Sequence, residues 1–242
     1  MAPDVVTDLC RTLRISGVAS CFEDLPLTQE TEEIRSFLLH ALKTELELRA
    51  GRRRLKSVRN AGFPTLKRFD DLDATLLPDD GRRYLPTLRS LSFLEEHRNI
   101  LMIGNSGTGK THLAIATGIC ACEQDFRVLF KSTAGLVHDM IEAKQERRLT
   151  GLQRMLKQVD LLILDEMGYV TFDPQGAELL FQMLASRHEA SSTIVTSNLM
   201  FSEWIKVFHD PILTAALLDR ITHRALVMKM NGMSFHHKSP MR

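Results

Sequence analysis

The chain has 242 residues, 44% of them hydrophobic and 25% charged, with a formal net charge of +1. This is the make-up of an ordinary globular protein of one or two domains. It excludes a disulfide framework, because four cysteines (Cys10, Cys21, Cys120 and Cys122) are too few at this length, and Cys120 and Cys122 lack the second ligand pair of a zinc site.

The first residues, MAPDVVTDLC, offer neither a basic leader region nor an apolar one, and no apolar run approaches the ~20 residues that span a bilayer. A cytoplasmic protein is expected, with Cys120 and Cys122 reduced and buried on a helix. Residues 1 to about 60 read as helical, and Leu38, Leu42 and Leu46 recur at the spacing of one buried face. Charge then changes abruptly: between Lys43 and Arg68 there are nine Lys/Arg against two acids, Glu45 and Glu47. Within that run Arg49, Arg52, Arg53, Lys56 and Arg59 fall on one helical stripe. GFP at 62–64 breaks the helix, since Pro64 disfavours helical geometry at Phe63. A domain boundary is expected there, with a helical N-terminal domain over 1–64 and a second domain over 65–242. A connector leads to a helical stretch near 82–97.

From Asn99 onward the pattern alternates. The runs ILMI (100–103), RVLF (127–130), LLIL (161–164), STIVT (192–196) and ALVMKM (225–230) are short and apolar, with helix-length amphipathic segments between the first four. Continuous apolar strands alternating with helices predict a parallel sheet covered on both faces.

The segment from Gly104 to Thr111, GNSGTGKT, follows the first strand and opens a helix, which is the context of a P-loop. Gly104, Asn105, Ser106, Gly107, Thr108 and Gly109 supply the backbone cradle, and His112 follows it. Lys110 carries a charge for the β/γ oxygens, Thr111 a hydroxyl for Mg²⁺, and the helix a positive N-terminus. VDLLILDEMGY (159–169) ends a buried strand in Asp165, a carboxylate for the metal, followed by Glu166, free to orient or deprotonate a water. A phosphotransferase excludes water from the γ-phosphate, so Glu166 favours hydrolysis. STIVTSNL (192–199) brings Asn198 to a strand end, where an amide bridges water and phosphate. LTAALLDRITHR (213–224) reads as a helix with Leu213, Leu217 or Leu218, and Ile221 inward. Arg220 or Arg224 is then either solvated or a finger for a neighbouring subunit's γ-phosphate.

Four motifs in this order resemble the AAA+ ATPases. GKTHLA, DLLILDEMGY, GAELLFQMLASRHE, STIVTSNLMFSEWIKVF and DPILTAALLDRITHRA are similar to the IstB family, the ATPase helpers of insertion-sequence transposition and relatives of DnaC helicase loaders. The upstream ELELRAGRRRLKSVRNAGFPTLKRFDDLD shares the likeness, which covers roughly residues 35–235. The resemblance implies an α/β P-loop fold with a five-stranded parallel sheet and a small helical N-terminal domain. It implies ATP and Mg²⁺ held by Lys110, Thr111 and Asp165, with Glu166 for the water, Asn198 as sensor and Arg220 as the trans-acting finger. It also implies a homo-oligomer on double-stranded DNA that works with a transposase. Asn105 and Ser106 stand where the family usually has prolines, and SFHHK (234–238) stands where it commonly has a Tyr-Arg pair, leaving His236 in the arginine's place. Only 22 residues follow Arg220, too few for a helical lid, so a neighbouring subunit is expected to close the site.

The basic stripe is almost free of acids and poor in aromatics, which suits the backbone of a duplex better than sequence reading or single strands. Lys131, in FKSTAGLVHDM (130–140), occupies the position where DnaA- and DnaC-like proteins carry DNA-facing residues. Three other readings compete: a DnaC-like helicase loader, a small-molecule kinase and a non-catalytic DNA-binding protein. The kinase lacks an Arg-rich lid and an acceptor pocket, and the combination of Lys110 with Glu166 argues against the non-catalytic protein.

Overall fold

A computed structural model describes residues 5–23 and 28–232. They fall into two compact units, divided between Lys56 and Ser57 within one helix.

The smaller unit holds α1 (Val5–Leu13), α2 (Ser16–Glu23) and most of α3 (Gln29–Asn60). Val6, Cys10 and Leu13 of α1, Ala19 of α2 and Leu42 of α3 are buried together, with Leu38 and Leu46 against them. The four-residue leucine spacing is therefore the packed face. The Arg49 guanidinium donates to the Leu13 carbonyl (2.9 Å), satisfying an acceptor that the end of α1 leaves open.

The larger unit begins with the last turn of α3, because Val58, Ala61 and Phe63 pack into its core. The helix stops at Asn60, and Gly62 follows at a left-handed φ of 81°. The Ala61 carbonyl accepts from the Phe130 N–H (2.7 Å), and the Phe63 and Phe130 rings lie 6.0 Å apart. The helix expected near 82–97 is two pieces, α4 (Asp79–Ser90) and the single turn α5 (Ser92–Glu95). Its earlier start follows from Asp79 and Asp80, whose charges suit a first turn. Its break is Leu91, held at φ 60°.

The remainder alternates: β1 (Ile100–Ile103), α6 (Lys110–Glu123), β2 (Val128–Ser132), α7 (Thr133–Gln145), α8 (Leu149–Lys157), β3 (Leu161–Met167), α9 (Pro174–Arg187), β4 (Ser192–Ser197), the single turn α10 (Ile205–Phe208), α11 (Pro211–Thr222) and β5 (Leu226–Lys229). The strands form one parallel sheet in the order β2-β3-β4-β1-β5. All five apolar runs are strands. Their lack of polar alternation is explained by cores on both faces. Leu101, Ile103, Leu162, Leu164 and Val195 face a core shared with α7 to α11, while Ile100, Met102, Leu161, Ile163 and Ile194 face one shared with α4 to α6. In α11, Leu217 and Ile221 are buried, with Leu213 and Leu218 packed alongside.

Arg187, at the end of α9, is only 2% exposed. Its guanidinium donates to the carbonyls of Leu156 (2.6 Å), Val159 (3.0 Å) and Ser192 (2.9 Å) and to the Thr193 hydroxyl (3.4 Å). It thereby binds the end of α8, the entry to β3 and the start of β4. Burial lowers its pKa to about 10, with Asp160 opposing. The cysteines are free thiols: Cys122 is buried as expected, but Cys120 is only half-buried. Among the described residues no helix is long and apolar enough to cross a membrane, and β5 is the last element. The SFHHK segment with His236 lies outside the described residues.

Candidate nucleotide site

A cavity of about 490 Å³ opens at the C-terminal ends of β1, β3 and β4. In an open parallel sheet that is where ligands bind, beside strands whose order departs from the sequence order. The loop from Gly104 to Gly109 forms one wall. Gly104 leaves β1 where a Cβ would fall 2.2 Å from the Met230 carbonyl oxygen, so only glycine fits between the ends of β1 and β5. Gly107 and Gly109 have φ of 76° and 89°, left-handed conformations of the kind a phosphate-cradling loop uses. The buried Thr108 hydroxyl braces the loop through the Asn105 carbonyl (2.9 Å). Gly104, Asn105 and Thr108 shape the cradle, while Ser106, Gly107, Gly109, Lys110, Thr111 and His112 line the cavity. Asn105 and Ser106 therefore leave the loop geometry intact.

The Lys110 ammonium is turned onto its own loop, donating to the carbonyls of Gly104 (2.7 Å) and Asn105 (2.6 Å). Burial holds its pKa below the usual value, with the Asp165 charge opposing. Among the described residues no carboxylate is paired with this buried cation, a setting that suits an anion in the cradle.

Asp165 is 6% exposed and keeps its carboxylate among hydroxyls. Its Oδ1 accepts from Thr111 (3.0 Å) and from Thr196 (2.5 Å). The next residue is set differently. Between Leu164 and Met167 the pairing of β3 with β4 slips by one residue, and Glu166 sits in this bulge at φ 61°. Its N–H donates to the Thr196 hydroxyl (3.0 Å), and its side chain is exposed to the cavity. Among the described residues the Glu166 carboxylate has no hydrogen-bond partner. A strand interrupted by a bulge thus presents one aspartate inward and one glutamate outward.

Asn198 lines the same cavity, and its Oδ1 is a buried acceptor without a partner. Such an atom is expensive unless a ligand or water completes it. Together with the glycine cradle and the hydroxyl-bound Asp165, it makes these residues a fit for a magnesium nucleotide.

Thr196, Lys67, Leu72 and Tyr169 contribute to the site without a signature in the sequence. Thr196 reads as one more β-branched core residue, yet its hydroxyl joins Asp165 to the Glu166 backbone. Lys67 and Leu72 reach the cavity from the connector after α3. Tyr169 is 55% exposed and meets the Ser106 hydroxyl at 3.0 Å. His112 contacts the Arg68 carbonyl through Nε2 (2.9 Å), closing the connector against the loop.

Other expected residues lie elsewhere. Arg220 stands 4.6 Å over the Phe181 ring and is not among the cavity residues; Arg224 is exposed. Lys131 is paired with Asp139 (2.6 Å), which offsets its charge. In the basic stripe, Arg49 is engaged by Glu45 (2.6 Å) and by α1, while Arg52, Arg53, Lys56 and Arg59 are exposed along α3.

The sheet order, the cradle and the paired acids define a P-loop nucleotide-binding protein of the AAA+ class. The family model for IstB-like ATP binding proteins matches residues 8–242, and the chain belongs to that family. Relatives include the ATP-binding protein of insertion sequence IS21 from Pseudomonas aeruginosa, 37% identical over 84% of this chain and 77% of its own length. That of IS5376 from Geobacillus stearothermophilus is 32% identical over 95% and 92%. Among solved structures, the fold is similar to DnaI (TM-score 0.59, 18% identity, 72% of this chain and 93% of that one) and to the DnaC helicase loader (0.53, 22%, 72% and 99%). It is also similar to AMPPCP-bound DnaA from Aquifex aeolicus (0.57, 20%, 69% of this chain), of which it spans about half the length, 51%.

Proposed function

We propose that the chain is an ATP-hydrolysing helper of insertion-sequence transposition, assembling on duplex DNA through nucleotide-bridged subunits and acting with a transposase. The observation that carries the hydrolytic part is the β3 bulge. It separates a buried, hydroxyl-held Asp165 from an exposed, unpartnered Glu166 in the cavity that Lys110 also lines.

In this reading the P-loop N–H groups and Lys110 bind the phosphates, and Thr111 and Asp165 hold Mg²⁺, which offsets phosphate charge when bound. Glu166 accepts the proton of the attacking water, and the Asn198 amide orients that water against the γ-phosphate. The Thr196 hydroxyl fixes both acids at once. Arg220, held over Phe181 and absent from its own subunit's cavity, serves the cavity of a neighbouring copy. ATP then favours assembly by linkage, and DNA touched by several subunits gains avidity only in the assembled form. Residues 1–64 act as the DNA-gripping part, through Arg52, Arg53, Lys56 and Arg59, and 65–242 as the ATPase, in the cytoplasm where the DNA lies. A helicase loader shares this fold, but the relatives named for insertion sequences favour transposition.

Sedimentation with ATP and duplex DNA tests the proposal. Wild type forms large complexes with both present and small species with neither, whereas Arg220→Ala binds ATP but does not assemble. Assembly of that variant like wild type removes Arg220 from the mechanism and leaves Arg224 as the candidate.

A further inference from the structure

Helices α9 and α11 run into the N-terminal ends of β4 and β5, so both finish at the sheet edge opposite the nucleotide cavity. Three potential ligands gather there: His188 at the end of α9, Glu189 beside it and His223 at the end of α11. We infer that this trio is a binding site for one late first-row divalent cation of the Zn²⁺ type, independent of the nucleotide cavity.

The first argument is the tautomer of His188. Its Nδ1 lies 3.1 Å from the Arg220 carbonyl oxygen, and a carbonyl only accepts, so Nδ1 carries the hydrogen. The Nε2 of the neutral ring is left with its lone pair. A backbone carbonyl holding the other ring nitrogen is the usual outer support of a metal-bound histidine.

The second argument is spacing. His223 Nε2 stands 3.5 Å from Glu189 Oε1, and His188 Nε2 stands 4.0 Å from the same oxygen. Both exceed a good hydrogen bond, so the carboxylate lies between two ring nitrogens without bonding either. All three ligand atoms lie within 4.8 Å of one another. Bonds of roughly 2.0–2.2 Å at tetrahedral angles set ligand atoms about 3.4 Å apart, so small side-chain rotations close the set around a cation. Water completes the fourth position.

The third argument is the local field. Two helix C-termini converge, and each contributes partial negative charge. Of the nearby cations, Arg220 is spent on the Phe181 ring, and Arg98 on Glu96 and the Arg224 carbonyl. Arg224 opposes binding only from an exposed position. Two imidazoles and one carboxylate suit zinc or nickel, whereas Mg²⁺ prefers oxygen ligands throughout.

Zinc titration of the full chain, free of nucleotide and magnesium, in competition with a chromophoric chelator tests the site. Wild type is expected to bind one equivalent at pH 7.5. His223→Ala and Glu189→Gln alter exposed side chains, leave the fold intact, and each weaken binding at least tenfold. A His236→Ala/His237→Ala variant retains the equivalent. The inference is overturned if wild type binds no equivalent, if His223→Ala and Glu189→Gln bind as wild type, or if only the His236/His237 variant loses the metal.

Discussion

Two aspartates stand toward opposite ends of β3, and the protein treats them oppositely. Asp160, just before the strand, is claimed by arginine: the Arg127 guanidinium donates to both carboxylate oxygens (2.8 and 3.1 Å), and the Arg127 N–H adds a third bond (2.8 Å). Asp165, near the other end, receives only the hydroxyls of Thr111 and Thr196. The buried cations follow suit. Arg187, near Asp160, saturates four fixed acceptors, whereas Lys110, near Asp165, rests on two carbonyls of a loop. A carboxylate already paired with arginine has no capacity for a metal. One held by neutral hydroxyls keeps its charge in play. At β3, then, the N-terminal end is tied down for stability and the C-terminal end is left open to a ligand.

The largest test of that contrast is Arg187→Ala. It strands three buried carbonyls and is expected to cost about 3–5 kcal/mol of unfolding free energy, measured by denaturant titration. Arg187→Lys recovers less than half, because an ammonium does not reproduce the planar fork. A loss under about 1 kcal/mol for Arg187→Ala would show that the carbonyls find other partners.

Lys110→Ala reverses the pattern. Two charge-assisted phosphate contacts, about 3 kcal/mol together, correspond to roughly 100-fold weaker ATP binding with the fold retained. Equilibrium titration with a fluorescent ATP analogue reads the affinity, and unchanged binding contradicts the assigned cradle.

Thr196→Val keeps the shape and removes the hydroxyl linking Asp165 to Glu166. Turnover is expected to fall about tenfold with ATP affinity nearly unchanged, a split between kcat and KM that a packing defect does not produce.

The smallest effect belongs to Asp160→Asn. Burial alone would raise the Asp160 pKa, but the side-chain and backbone hydrogen bonds from Arg127 outweigh it and hold the carboxyl below its usual value. A depressed folded pKa contributes stability that is full above the unfolded value of about 4 and fades as pH falls through the folded value. With the side chain 35% exposed, screening keeps this near or below about 1 kcal/mol. Wild type should exceed Asp160→Asn in stability at pH 6, and the difference should fade as pH falls below the usual carboxylate value.

Local pattern made the P-loop, the five strand runs and the acidic pair readable, because each is written in consecutive residues with a fixed period or spacing. What pattern could not supply is proximity. Thr196 is indistinguishable from neighbouring Thr193 in a β-branched run, and only the placing of β4 beside β3 sets it against Asp165. Lys67 and Leu72 enter the cavity because GFP anchors the connector on Phe130, a contact far apart in the chain that no spacing announces. The β3 bulge was hidden for a different reason. Nothing in LLILDEM marks which residue takes φ 61°, and a regular strand would have accounted equally well for an Asp-Glu ending. His188 and His223 carry no spacing signal either, because they meet only where the ends of α9 and α11 come together.

The central claim, that the cavity hydrolyses ATP with Glu166 as the base, is tested most directly by Glu166→Gln measured for ATP affinity and steady-state turnover on the same preparation. The amide keeps the size of the side chain and leaves Asp165, Thr111 and Lys110 untouched, but accepts no proton. The account predicts ATP affinity within about threefold of wild type and turnover reduced by at least ~100-fold. Turnover at the wild-type rate would contradict it.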